Sequence, residues 1–598
     1  LFSSFFATDV AFSGFMGACG ARPGAEQKQP KHVHPCLFPM YVVKVSDFLV
    51  MEGVPEPHHI LLKKGLLHQW RPGMSVIFVS HQWLGTGHPD PEGRHAATLR
   101  ASLQGILDGS LQVEIDVAYD MGAEFGDAME YTRQSAMDGY IFLDWFAIPQ
   151  ITARAEGVNE ENTRSDAALA VQSIPFYVEA SNIFMALVPE VKRSDTGRYC
   201  NYTSWLTRGW CRAELWCHLL SAKPFTQVIV VYSTKESQFM YPRQWQENTI
   251  DKGDFTVESD RAMVVKLGEM AVEHKLQNLS DGGPLSLYRF FLAMRPMMLG
   301  KPPLTWEVDA FLQHFKFDDL QATIRDQSSM NALLCATFSG DVAMVKFLAE
   351  QKADPMSRLY GLGDLGYEDD MTLLMAALET RQSPEMIRTL LELKLDPNAC
   401  SVDGITVAGC AKSPEQLREL LHFKSDIHMA VEPLGMTPLS RMASRADIET
   451  TLEMLRLSCD PNPKTFGLGV SPLVAAVSLS RGNPLGVEVI RTLLEHRADP
   501  NKACRQTGTV FTSVVVIGRV KVALLGRQAC SPQTRAAATL PGETPLLAAA
   551  NIGSEEAVQL LLSYGAEPVP NDRGETCEFL AEANGHYNVL PYFQTFAV

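Results

Sequence analysis

The sequence predicts an α/β domain built on a doubly wound parallel sheet, then a helical connector, then an all-α solenoid of repeated helix pairs. Two patterns carry that expectation. Four short runs, VIFVS (Val76–Ser80), YIFLD (Tyr140–Asp144), NIFMALV (Asn182–Val188) and QVIVVY (Gln227–Tyr232), are branched and apolar on both faces. Successive side chains of a strand point to opposite faces, so such runs suit central parallel strands covered by helices on each side. Beyond residue 330 one phrase recurs: ADP at Ala353, DPN at Asp396, DPN at Asp460, ADPN at Ala498 and AEP at Ala566. Recurrence at a near-constant period marks a stack of repeats. A chain of 598 residues exceeds what one core holds, so several domains are expected.

In the region 40–235, VIFVS is followed at once by His81, Gln82 and Trp83, and YIFLD by Trp145 to Gln150. Ligands of doubly wound sheets gather at the carboxyl ends of the strands, so these two ends meet on one rim. Candidate helices lie between the strands. SDAALAVQSIPFYVEA places Ala170, Ile174, Tyr177 and Val178 at helical spacing, with Pro175 expected to kink it. TRGWCRAELWCHLLS, Thr207 to Ser221, is another. Trp210 and Glu214 share one face of it, and Cys211, Leu215 and Leu219 lie on a neighbouring, core-facing one. Residues 236–329 read as a connector: FTVESDRAMVVKLGEMAVEHKL, LSLYRFFLAMRPMML and WEVDAFLQHF have apolar helical faces, and GGP at Gly282 separates the first two.

Each closing phrase of the region 330–598 follows an apolar helix: MVKFLAEQKADP, MIRTLLELKLDPN, TLEMLRLSCDPN, VIRTLLEHRADPN and AVQLLLSYGAEP. Shorter helices precede them and open on Thr or Ser, as in MTLLMAAL, MTPLSRMA, VSPLVAAV and ETPLLAAA. The hydroxyl caps the first backbone N–H groups, Pro takes the first turn where no donor is needed, and Leu enters the core. Leu417 to Asp426 fits the series with a degraded closer. The closers lie roughly 30 to 42 residues apart, and with TPL boxes at Thr437 and Thr544 the region resembles the ankyrin family. That family's His after Leu is absent. The stretch between Asn501 and Gly542 is too long for a loop, so an irregular insertion is expected near 502–541, with VFTSVVVIGRVKVALL as its apolar part. An ankyrin stack offers a long concave surface and no chemistry of its own, which implies a protein partner on that face.

The N-terminal motifs carry a second resemblance. VIFVSHQW, SIPFYVEASNIFMALVP and SWLTRGWCRAEL, in that order, resemble the Toll/interleukin-1 receptor (TIR) fold, and Trp210, Cys211, Glu214 and Leu215 match its W-C-x-x-E-L helix position by position. The chain is similar as well to heterokaryon-incompatibility (HET) domains: Asp144, Ile148 and Gln150 match D-x-x-x-I-x-Q, and Arg208, Trp210 and Glu214 match R-x-W-x-x-x-E. The resemblance implies a TIR/flavodoxin-like sheet. For the enzymes of that family it implies cleavage of NAD between nicotinamide and ribose, with Glu214 catalytic. Breaking that bond builds positive charge on the ribose, which a nearby carboxylate stabilises. Trp83 or Trp145 would stack on a flat ring of the ligand. His81 and Asp144 would bind ribose hydroxyls, and Trp210 and Arg208 complete the ligand-binding set. NAD is then a substrate, and no cofactor is implied. Many TIR-like domains only assemble with one another, so self-association is a further expectation. Beside this stands a structural reading, with Glu214 paired to Arg208 or Arg212 and the tryptophans in the core.

Composition excludes several classes. A net charge of −17 repels a phosphate backbone, so nucleic acid is not an expected partner. Twelve scattered cysteines without a CxxC pair fit buried free thiols in a reducing compartment, and no metal site is expected. No GxxxxGK occurs, which excludes a P-loop. Ser80 and His81 are adjacent on a strand and face opposite ways, and no G-x-S-x-G surrounds Ser80, which argues against a hydrolase. No apolar run reaches the length of a membrane span.

Residues 1–39 read as a flexible leader, and LFSSFFATDVAFSGF lacks the basic start of a signal peptide. If Met16 initiates, Gly17 becomes N-terminal beside Cys19, which suits myristoylation and palmitoylation and an anchor at the inner membrane surface. The expectation is therefore a cytoplasmic signalling protein: a TIR/HET-like effector region, with NAD hydrolysis as its candidate activity, joined to a partner-binding ankyrin stack. The alternative is a non-enzymatic scaffold in which both regions only bind proteins.

Overall fold

The computed structural model of the chain describes residues 34–593 apart from 112, 115–125, 154–156, 158–159, 194, 224–225, 241–244, 247–248, 479, 482 and 531. Met16, Gly17 and Cys19, and with them the expected acylation, lie outside the described residues. Among the described residues one sheet has eight strands: β1 (Tyr41–Lys44), β2 (Leu67–Gln69), β3 (Val76–His81), β4 (Val113–Glu114), β5 (Tyr140–Phe142), β6 (Ile183–Leu187), β7 (Val228–Val231) and β8 (Ser237–Phe239). Their spatial order is β2-β1-β5-β3-β6-β7-β8-β4.

The four runs read as central strands are central and parallel: β3 pairs with β5 and with β6, and β6 with β7. By chain order they lie 2-1-3-4, the flavodoxin-like doubly wound order, whose switch point falls between β3 and β6. Every residue of β3, β6 and β7 is buried, as runs apolar on both faces require. Phe78 stacks on Phe142 and Phe184, at 4.8 and 5.4 Å between ring centroids, and so ties three strands together. The margins are antiparallel: β1 pairs with β5 and β2, and β8 with β7, so the sheet is mixed.

Helices α1 (Arg94–Asp108) and α2 (Gly126–Met137) follow β3; α3 (Glu160–Gln172) and α4 (Ile174–Ala180) follow β5; α5 (Tyr202–Thr207) and α6 (Gly209–Leu219) follow β6. Four local expectations are corrected here. The α3–α4 run does not kink at Pro175; it breaks two residues earlier, at Ser173. Ser173 Oγ donates to the Leu169 carbonyl and accepts the Leu37 and Phe38 amides, and Pro175 falls in the first turn of α4. The helix expected from Thr207 is two helices parted at Arg208. A Cβ on Gly209 would lie 2.0 Å from the Phe255 ring, so only glycine admits that chain crossing. YIFLD ends as a strand at Phe142, and Asp144 heads a one-turn helix, Asp144–Ala147. The sheet also outlasts residue 235, because β8 closes its far side with β4.

The connector contains α7 (Asp260–Ser280) and α8 (Leu285–Met298), and one apolar cluster runs from Met40 through it to Leu420 in the repeats. In the repeats the expected caps form. Thr372, Thr437, Ser471 and Thr544 each accept the amide three residues on. At the turn before each closer, Lys352, Lys394, Lys424, Ser458 and Arg497 have φ between 64° and 75°, a left-handed conformation that glycine supplies without strain. Only the last such turn has its glycine, Gly565.

The DPN asparagines join one repeat to the next. Asn398 Oδ1 accepts the Asp426 amide at 2.6 Å, Asn462 Oδ1 the Asp499 amide at 2.7 Å, and Asn501 Oδ1 the Glu567 amide at 2.8 Å. The last bond spans the insertion. Residues between the two closers fold outward as a helix pair, Thr509–Leu525 and Pro532–Thr539, and the stack continues past them in register. That helix pair returns to the α/β domain. Arg535 in Pro532–Thr539 pairs with Glu236 at 3.2 Å, and Lys235 donates to Gln528 at 3.1 Å. Arg481 lies 3.5 Å from Glu190.

Within the stack, Glu379 has a side chain with 0% exposure and accepts from Lys412 at 3.2 Å, Arg441 at 3.0 Å and Arg445 at 2.6 Å, cations of the next two repeats.

Two stability predictions follow from the stack. Lys394 is exposed and left-handed, so Lys394→Gly is expected to raise the urea midpoint, by the equivalent of roughly 0.5 kcal/mol after the entropy that glycine adds to the unfolded chain. Glu379→Gln leaves three cations facing a neutral amide, and its expected cost is about 3 kcal/mol, read as a lower midpoint in the same titration.

Candidate functional site

Ser80 and His81 end β3, at 1% and 8% exposure, so both must find partners inside the protein. They find them on opposite sides. Ser80 Oγ donates to Glu214 Oε2 of α6 at 2.5 Å and accepts the Trp205 indole N–H of α5 at 3.0 Å. His81 Nε2 bonds Asp144 Oδ1 at 3.0 Å, and His81 Nδ1 meets His95 Nδ1 of α1 at 3.2 Å. Asp144 Oδ2 accepts the Trp83 indole N–H at 2.8 Å, and its Oδ1 also accepts the Trp145 amide at 2.7 Å. Gln82 Oε1 accepts from Ser204 of α5 at 2.7 Å. The segments ending at Ser80 and Asp144 and the helix bearing Glu214 therefore meet at the carboxyl edge of β3, beside the switch point.

The charges are set by burial and by one another. Burial opposes the charged form of His81, but the Asp144 carboxylate facing it outweighs burial and raises its pKa. Burial would raise Asp144, yet His81 and the Trp83 and Trp145 N–H groups hold its carboxyl below the usual range. The pair is an ion pair. Burial and the adjacent His81 keep His95 neutral, so it accepts the second proton of His81. Glu214 behaves differently: burial pushes it up to about 8, with the Asp144 carboxylate adding to burial and Ser80 and His81 opposing it.

The expected site residues separate into two groups. Glu214, His81, Asp144 and Trp83 are brought together. Glu214 pairs with neither arginine proposed for it: Arg208 donates to Thr256 at 2.7 Å, and Arg212 donates to the carbonyls of Leu206 and Thr249. Arg208 is thereby turned toward the connector, not the rim. Trp210 is likewise turned there, its indole N–H on Asp260 at 3.0 Å. Trp145 is 2% exposed, with its indole N–H on the Pro55 carbonyl and its ring edge-on to Trp83, so it is framework and offers no stacking face. His95 and Trp205 complete the arrangement and were not read from the sequence. Trp205 carried a signal, an aromatic residue five positions before the W-C-x-x-E run, whereas nothing local marks His95.

The chemistry available is narrow. His81 has both nitrogens engaged, and the Asp144 oxygens hold three donors, so neither is free to act as a general base. Glu214 is the titratable group of this cluster that sits partly exposed with one oxygen engaged by a neutral hydroxyl.

The ankyrin-repeat family profile matches residues 541–574, so this segment is an ankyrin repeat. It contains the Thr544 cap and the Gly565 turn. The ankyrin repeat domain of human ASB11 is similar in structure at 20% identity over 44% of this chain and 96% of that one, with a TM-score of 0.32. No curated protein matches the sequence.

The raised pKa of Glu214 fixes the sign of a pH effect. Between the ordinary carboxyl value of 4.5 and about 8 the folded chain keeps a proton that the unfolded chain has lost. Its contribution to stability is thus complete below 4.5 and is lost as the pH rises through 8. Glu214→Gln is expected to flatten the fall of Tm with pH across that window, measured by thermal melts of both proteins. Parallel Tm curves would show that Glu214 ionises normally.

Proposed function

We propose that the chain is a signalling protein whose ankyrin stack holds a protein partner on its concave face and whose α/β domain is a TIR-like NAD glycohydrolase. Ankyrin repeats bind proteins, and among the described residues no helix is long and apolar enough to cross a membrane. The observation that carries the enzymatic part is Glu214 at the carboxyl end of β3, where a doubly wound sheet holds its ligands.

In this reading Glu214 must be ionised to face the positive charge that grows on the ribose as nicotinamide leaves. Its carboxyl titrates at about 8, so the active fraction grows with pH. The His81–Asp144 pair fixes the strand end and the Trp83 indole, and Trp83, half-buried beside Asp144, is the ring that would lie against a flat base. Ser80 holds Glu214 in place.

One observation favours the second reading, a scaffold without activity. The polar groups of the cluster are satisfied mostly by one another, which is also how a framework is built.

The test is nicotinamide release from NAD by the concentrated full-length chain. The expected rate rises about tenfold per pH unit below about 8 and then levels, and Glu214→Gln falls to background. Wild type and Glu214→Gln both at background at every pH would remove the enzyme and leave the scaffold.

A further inference from the structure

A second cluster lies outside the rim. His34, in the chain that enters β1, Glu179 in α4 and His274 in α7 bring one donor atom each to within 4.8 Å of the others. His274 Nδ1 is 3.9 Å from Glu179 Oε1, and the two imidazole rings stand 4.1 Å apart at 54°.

Glu179 is the anomaly. Its side chain is 9% exposed, and neither oxygen has a hydrogen-bond partner. A buried carboxylate without one is costly. The neighbouring lysines act on it only through space, their donors being engaged elsewhere. Lys223 Nζ donates to the Val178 and Ser181 carbonyls and meets His218 Nδ1, and Lys275 Nζ donates to the Ser221 carbonyl. Asn278 lies 3.3 Å from His274 Nε2. The contact is made by the Asn278 amide nitrogen, and Nδ1 of His274 is the ring atom on the Glu179 side.

We propose that His34, Glu179 and His274 bind a divalent transition-metal ion, zinc by the character of the ligands. Two imidazoles and one carboxylate are a set that zinc takes with a fourth position left for water. Tetrahedral zinc places neighbouring donors about 3.3 Å apart, so the three side chains close by no more than a rotamer adjustment. The ion neutralises Glu179 and ties the entering chain at His34 to α4 and to the connector helix α7.

The full-length chain, stripped with a chelator, is titrated with Zn2+ and separately with Co2+, alongside His34→Ala and Glu179→Gln. Wild type is expected to hold one more zinc than either variant, or to bind it at least tenfold more tightly, and to gain Tm on zinc addition that neither variant gains. Its cobalt complex is expected to show visible bands of four-coordinate cobalt without thiolate charge transfer, which separates this site from the cysteines. Equal zinc content and equal Tm shifts in wild type and both variants, or a cobalt spectrum dominated by thiolate bands, would overturn the site. Neither variant touches Glu214, so this result is independent of nicotinamide release.

Discussion

Two polar side chains buried at the end of a fully paired strand set the terms for the N-terminal domain. Strand β3 bonds to neighbours on both edges and is covered on both faces, so Ser80 and His81 cannot reach bulk water. Each must be met by a group that another element carries in. Ser80 draws α5 and α6 together through Trp205 and Glu214, and His81 draws in the turn at Asp144 and the start of α1 at His95. The cluster is therefore a consequence of placing polar residues where a doubly wound sheet buries its middle strand. Its unusual member is Glu214, because the partner it receives is a hydroxyl rather than a cation, and its charge is left to the pH.

The solenoid meets the same demand with backbone groups. Its short helices leave amides open at their starts, and at Leu373, Pro438, Ile448, Pro472 and Pro545 a Thr, Ser or Asp side chain closes one. Its loops pass the demand on: an asparagine of one closer satisfies the next loop, even across the helix pair that separates Asn501 from Glu567. Continuity of the stack rests on these loop bonds and on Glu379, whose charge three cations from the following repeats share. Left-handed turns occupied by Lys, Ser and Arg show that this continuity outweighs strain in the single turns.

The legible parts were those written in local pattern. The four central strands stood out because burial on both faces demands apolar residues throughout, and the repeats because a cap, a proline and a closing acid recur. The marginal strands β1, β2, β4 and β8 did not, since two to four residues leave no periodicity to read. At the rim, Glu214, His81, Asp144 and Trp83 were legible from their motifs. Arg208, Trp210 and Trp145 share those motifs, but packing turned the first two toward the connector and sealed the third, which no spacing encodes. His34, Glu179 and His274 come from three distant segments, and only the docking of α7 on the α/β domain brings them together.

The solenoid is also fastened at separate places to the same body. Its first repeats share a core with the connector, where Gln246 bonds the Leu365 carbonyl and Tyr367, and its inserted helix pair returns to Glu236 and Lys235 beyond the carboxyl end of β7. An open coil flexes freely about its length, but one pinned at two separated points is a bow. Any cargo that tightens or relaxes this bow must either stretch it or detach a fastening, and the fastening made by the inserted pair sits two strands along the same edge from Ser80.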